Sequence, residues 1–104
     1  MDFKGKTAVV TGSTKGIGKA IVLAFARSKE FSGIVINTRR TEEAQNVSRE
    51  IMDSYSKWCT SLAVEADVSK EIDRIRLIHE TIDRFGRIDV LVNNAGIHED
   101  FGNF

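Results

Sequence analysis

The chain has 104 residues, 41% of them hydrophobic and 29% charged, which is the composition of one soluble globular domain rather than of a disordered tail or a membrane protein. Fifteen basic and fifteen acidic side chains cancel, so no global field draws the chain to nucleic acid or to an anionic membrane, and neither is an expected partner. The polar start Met1-Asp2-Phe3-Lys4-Gly5-Lys6 and the short apolar run after it fit neither a signal sequence nor a membrane span, which sets the cytoplasm as the expected location. The single cysteine, Cys59, has no partner for a disulfide and no neighbours at metal-ligand spacing, so it reads as a buried, idle thiol.

Thr7-Ala8-Val9-Val10-Thr11 is rich in β-branched residues and ends in glycine, as a buried strand does. From Gly16 the apolar period changes: Ile17, Ala20, Ile21, Ala24 and Phe25 fall on one helical face. Ile34-Val35-Ile36 is the second strand, and Ala44, Val47, Ile51 and Tyr55 mark one face of a second helix beginning near Thr41. Ser61-Leu62-Ala63-Val64 is the third strand. Ser69 is placed to cap a third helix whose apolar stripe is Ile72, Ile75, Ile78, Ile82 and Phe85, with Gly86 as its stop. The fourth strand, Ile88 to Asn93, contains the continuous run Val90-Leu91-Val92 expected of a strand covered on both faces.

Alternating strands and helices imply a parallel sheet, and right-handed crossovers favour the Rossmann-type strand order 3-2-1-4, with a crevice at the C-terminal ends of strands 1 and 4. Into that crevice runs Thr11-Gly12-Ser13-Thr14-Lys15-Gly16-Ile17-Gly18, leading from the first strand into the first helix. Free N–H groups and the positive end of the helix dipole favour a phosphate there. In this reading Gly12 permits the tight turn, Gly16 admits a ligand close to the backbone, and Gly18 lets the helix pack close to the sheet. The phosphate loop of ATPases is excluded, because five residues separate Gly12 from Gly18 and Ala20 stands where a magnesium-binding hydroxyl is needed.

Thr-Gly-x-x-x-Gly-x-Gly at Thr11–Gly18 resembles the glycine signature of the short-chain dehydrogenase/reductases, similar to 3-oxoacyl-carrier-protein reductases. Two further matches carry the resemblance. Ala66-Asp67-Val68 follows the third strand, and Asn93-Asn94-Ala95-Gly96 follows the fourth. The resemblance runs from about Lys4 to Gly96. It implies an NAD(P)-binding half of a doubly wound domain over residues 1–104, with Gly12, Ser13, Thr14, Lys15, Gly16, Ile17 and Gly18 around the phosphates. It also implies that Asp67 and the amide of Val68 hold the adenine, and that Asn93, Ala95 and Gly96 lie beside the ribose and the central sheet.

The end of the second strand bears on the choice of cofactor. An acidic residue there would suit the adenosine ribose hydroxyls of NAD, but the position holds Thr38, followed by Arg39 and Arg40. With Lys15 in the glycine loop, these cations favour NADP over NAD, and the resemblance assigns the 2′-phosphate to Lys15 and Arg39. The family's Ser and Tyr-x-x-x-Lys catalytic residues come after its Asn-Asn-Ala-Gly motif. The only tyrosine here, Tyr55, is followed four residues on by Cys59 and cannot stand in for them. His79 and His98 belong to no triad or metal pattern.

Two functions follow as expectations: the cofactor-binding portion of an NADP-dependent oxidoreductase, catalytically inactive as this chain alone, or a stand-alone nucleotide-binding protein. Asp100 to Phe104 would begin the family's substrate region. The edge at the fourth strand and an open face beside the third helix imply self-association.

Overall fold

A computed structural model of the chain describes residues 5–95. Seven elements follow one another: β1 (Lys6–Val10), α1 (Gly16–Arg27), β2 (Phe31–Thr38), α2 (Thr41–Tyr55), β3 (Thr60–Glu65), α3 (Glu71–Phe85) and β4 (Val90–Val92). The strands form one parallel sheet in the order β3-β2-β1-β4, the expected Rossmann-type topology. The second strand is longer than the sequence pattern suggested, and the fourth is shorter. No helix among the described residues is long and apolar enough to cross a membrane.

Alternation along the strands divides the core in two, because successive side chains point to opposite faces. Ala8, Val10, Ile34 and Ile36 face Val22 and Ala26 of α1 and Ala44, Val47 and Ile51 of α2. Val9, Val35 and Val64 face Leu77 and Phe85 of α3. Each fully buried Val or Ile stabilises the fold by about 1.5–3 kcal/mol relative to exposure, so these two layers supply most of the driving force. Gly33 of β2 belongs to the α3 layer for a steric reason: a Cβ there would stand 2.6 Å from the Phe85 ring.

Three sequence expectations about the helices are corrected. The buried line of α1 is Gly18, Val22 and Ala26; Ile21 and Phe25 pack partly, while Ile17, Ala20 and Ala24 are exposed. Small residues spaced four apart bring the helix closer to the sheet than larger ones would, and that spacing decides its rotation. On α3 the buried line is Leu77, Thr81 and Phe85, with Ile72 75%, Ile75 49% and Ile82 43% exposed. Ser69 does not cap this helix: Lys70 is the N-cap and makes no side-chain cap, while the Ser69 hydroxyl donates to Asp67 Oδ1 at 2.6 Å.

Gly86 does end α3, in a left-handed conformation with its N–H donating to Ile82 O. Nor is β4 covered on both faces, since Leu91 is 52% exposed and Val90 and Val92 are only half-buried. It is tied to β1 by Asp89, whose N–H donates to Thr7 O at 2.9 Å and whose Oδ2 accepts the Thr7 N–H at 2.8 Å. Arg87 donates to both carboxylate oxygens of Asp89, at 2.8 and 2.6 Å. These bonds, that of Arg87 foremost, hold the Asp89 carboxyl below its ordinary range.

Cys59 is buried, as expected, and burial pushes its thiol up to about 11. Tyr55 sits at the edge of the α2 layer against Trp58, with ring centroids 5.8 Å apart. His79 lies on the exposed side of α3.

Candidate functional site

At the C-terminal ends of the strands the β1–α1 loop turns sharply. Gly12 has φ +58°, and a Cβ on Gly18 would stand 2.2 Å from Gly12 O and 2.5 Å from Asn94 Nδ2. No side chain fits that contact, so the start of α1 rests directly on the turn that precedes it. This agrees with the close-packing role expected of Gly18 and adds a specific neighbour, the Gly12 carbonyl.

Two buried asparagines brace the loop; the sequence placed Asn94 only within the Asn-Asn-Ala-Gly motif and gave Asn37 no role at the site. Asn37, at the end of β2, accepts the Gly12 N–H at 3.3 Å and donates through Nδ2 to Val64 O and Ala66 O, both at 3.2 Å. Its backbone is paired with Ser13: the Ser13 N–H donates to Asn37 O at 2.9 Å, and the Asn37 N–H donates to Ser13 Oγ at 2.9 Å. Asn94 donates from Nδ2 to Gly12 O at 2.9 Å, and its own N–H reaches Thr11 Oγ1 at 2.9 Å. Thr11 Oγ1 also accepts the Ala95 N–H at 3.0 Å. Every polar side-chain group of Asn37 is thereby engaged, as burial demands. For Asn37 the one signal available in the sequence was a polar residue closing an otherwise apolar strand.

A groove of about 550 Å³ opens above this framework, within the size range of small-molecule sites. Of the residues expected to bind cofactor, it brings together Gly12, Thr14, Lys15, Thr38, Arg39, Asp67, Val68 and Ala95, and adds Asn37, Arg40, Glu43, Ala66 and Ser69. Ser13 is fully buried, with its N–H and hydroxyl spent on Asn37. Gly16 has φ +54° at the start of α1, and Ile17 beside it is exposed outside the groove lining. Asn93 is exposed and does not line the groove; Gly96 lies outside the described residues.

The groove's electrostatics are mixed. Lys15 Nζ stands 3.7 Å from Glu43 Oε1, and Arg40 Nε stands 3.6 Å from Glu43 Oε2. Thr14 Oγ1 donates to Glu43 Oε1 at 3.3 Å. Asp67 Oδ1 accepts the Ser69 N–H at 3.0 Å as well as its hydroxyl. Those two bonds, with smaller contributions from Lys70 and Arg39, hold the Asp67 carboxyl below its ordinary range. Lys15, the N-cap of α1, makes no side-chain cap. The N–H groups of Gly16, Ile17 and Gly18 accordingly find no acceptor among the described residues, and such orphan donors at a helix start suit a phosphate oxygen.

The donor set fits a dinucleotide: uncapped helix amides for a diphosphate, cations at the end of β2 for a further phosphate, and a carboxylate beyond β3 for a base. No cluster of metal-ligating side chains occurs among the described residues.

Comparison with known proteins shows what the chain resembles. Glucose 1-dehydrogenase 2 of Bacillus subtilis is 41% identical over 93% of this chain and 36% of its own length. The L-rhamnose 1-dehydrogenase (NADP(+)) of Thermoplasma acidophilum is 38% identical over 97% of this chain and 39% of its own. Among solved structures, L-sorbose reductase from Gluconobacter frateurii, complexed with NADPH and L-sorbose, superposes with a TM-score of 0.80 at 35% identity, over 92% of this chain and 35% of that one. The chain therefore spans little more than a third of these relatives. The family model for short chain dehydrogenases matches residues 6–104, and with the fold and the glycine turn in place the chain belongs to the short-chain dehydrogenase family.

Proposed function

We propose that this chain forms the NADP-binding part of an oxidoreductase that transfers hydride between NADP(H) and a carbonyl or alcohol substrate. The observation that carries the reading is the groove itself: on one side the Gly12, Thr14 and Lys15 turn that leads into the uncapped start of α1, and on the other Arg39 and Arg40 at the end of β2. The nicotinamide, when bound, supplies the hydride chemistry.

The chain's own residues bind and orient. The first turn of α1 receives the diphosphate; Lys15 and Arg39 receive the 2′-phosphate. Asp67 takes the adenine through its second carboxylate oxygen, together with the Val68 N–H; no described residue engages either. Ser13, Asn37 and Asn94 hold the loop in shape beneath. Arg39 makes no ion pair with a described residue, so its guanidinium is open to a phosphate, for which charge-assisted bonds are the strong ones. That a relative and a neighbouring structure carry NADP in their names supports this choice over NAD.

Proton transfer needs groups that these 104 residues do not contain, since Tyr55 lies at the far end of α2 against Trp58. The chain alone therefore turns over no ketone with NADPH. The open β4 edge and the outward isoleucines of α3 support self-association of the isolated chain.

Calorimetric titration tests the reading. NADPH should bind more tightly than NADH by about 1–3 kcal/mol, the scale of a few charge-assisted contacts. Arg39→Asp should abolish or invert the preference; equal affinities in the unmodified chain would refute it.

A further inference from the structure

Three cations line the groove, Lys15, Arg39 and Arg40, and a carboxylate of the same groove holds two of them. Glu43 stands in the first turn of α2, three-quarters buried, with one oxygen on Lys15 and the Thr14 hydroxyl and the other on Arg40. Its neighbour Glu42 sits in the same helical turn but is exposed and outside the groove lining. Proximity to the α2 amides gives both carboxylates the same benefit. Only Glu43 spends its charge on the groove.

From this arrangement we infer that Glu43 is a built-in counter-anion that sets how strongly the site discriminates between phosphorylated and unphosphorylated dinucleotides. The inference rests on the cofactor reading above. A 2′-phosphate dianion received by Lys15 and Arg39 must share Lys15 with a carboxylate already within 3.7 Å of both Lys15 and Arg40, and it meets like-charge repulsion there. A ribose diol carries no charge and suffers no such opposition; a carboxylate can even accept its hydroxyl hydrogens. Glu43 thus weakens binding of the phosphorylated cofactor and leaves that of the other nearly unchanged. Arg39 stands outside the Glu43 contacts and makes no ion pair with a described residue, so it is the cation of the three that Glu43 does not hold back from the phosphate.

The test compares the unmodified chain with Glu43→Gln, which keeps an oxygen acceptor for Thr14, with Glu43→Asp, which keeps the charge, and with the control Glu42→Gln. Each is titrated with NADPH and NADH. Adenosine 2′,5′-bisphosphate and AMP serve as a second pair, isolating the phosphate from the nicotinamide. Glu43→Gln should tighten NADPH and the bisphosphate about tenfold, as removal of one screened like charge at a partly exposed site allows. It should move NADH and AMP less than twofold. Glu43→Asp and Glu42→Gln should keep the starting ratio, and thermal denaturation verifies that all variants are folded.

An unmoved ratio in Glu43→Gln, or a weakened NADPH, overturns the inference; the second result would make Glu43 a positioning residue for Lys15 and Arg40. An unmodified chain that binds NADPH while the ratio stays fixed in Glu43→Gln defeats this inference alone. An unmodified chain that binds neither dinucleotide defeats the cofactor reading, and this inference with it.

Discussion

On one face of the sheet, α1 and α2 close over Ala8, Val10, Ile34 and Ile36 until none of the four is exposed. On the other, α3 covers Val9, Val35 and Val64 with Leu77 and Phe85, and turns Ile72, Ile75 and Ile82 outward. The groove stands on both layers, since the β1–α1 loop belongs to the first and the Asp67 segment leads into α3. What holds it in shape, however, is the polar bracing by Asn37 and Asn94 between strand ends, not the apolar packing of either face. Parallel sheets are ordinarily buried on both sides, and Val9, Val35 and Val64 are as buried as the opposite face; the apolar surface left exposed among the described residues lies on the outer side of α3 and at Leu91 of β4.

The largest expected effect tests the contrast between the buried line of α2 and the outward isoleucines of α3. Ile51→Ala, at a fully buried position on α2, should cost about 2–5 kcal/mol in urea denaturation. Ile72→Ala, on an α3 residue that is three-quarters exposed, should stay within about 0.5 kcal/mol. Similar losses at the two positions would show that α3 is buried in solution, by another copy or by a rearrangement.

Next in size are the braces. Asn37→Ala removes an acceptor for Gly12 and the donors to Val64 O and Ala66 O, and should cost about 1–3 kcal/mol for buried groups left unpaired. Dinucleotide affinity should fall with it, because the loop loses its support. A variant with unchanged stability and affinity would refute the bracing role.

Edge pairing gives a smaller effect. Leu91→Lys places a charge on the exposed side of β4 and should lower any concentration-dependent association seen by sedimentation, without shifting the denaturation midpoint. A monomer at all concentrations before the change would refute the self-association reading.

The smallest effect is acid sensitivity at the β1–β4 junction. Because the folded Asp89 carboxyl is held below its ordinary value of 3.8, its contribution is complete above that value and is lost as pH falls through the lowered one. Asp89→Asn should flatten that part of the acid unfolding curve; an unchanged curve would mean that the Arg87 and Thr7 contacts are not formed in solution.

The strand order and the grouping of Gly12, Lys15, Arg39, Asp67 and Ala95 at one end of the sheet were legible because β-branched runs, helical periods and glycine spacing are local signals, and right-handed crossovers then leave few arrangements. Helix rotation was harder to read. On α3 the isoleucine series has as good a helical period as Leu77, Thr81 and Phe85, and Phe85 belongs to both. The ring of Phe85 filling the space over Gly33 settles the rotation, a contact between residues 52 apart that periodicity cannot register. Burial of Asn37 and the ion pair of Glu43 with Lys15 were hidden for the same reason: each depends on partners brought in from β3 or the β1–α1 loop. Ser69 was misread because its hydroxyl finds Asp67, two residues back, ahead of the helix amides.

The central claim, that the groove at the strand ends is a dinucleotide site, is tested most directly by titrating the isotope-labelled chain with NADPH and following its backbone amide resonances. The largest shifts should fall on Gly12, Lys15, Arg39, Asp67, Val68 and Ala95, while Ile72, Ile75 and Ile82 stay in place. Shifts centred on the exposed side of α3, or none at saturating NADPH, would contradict it.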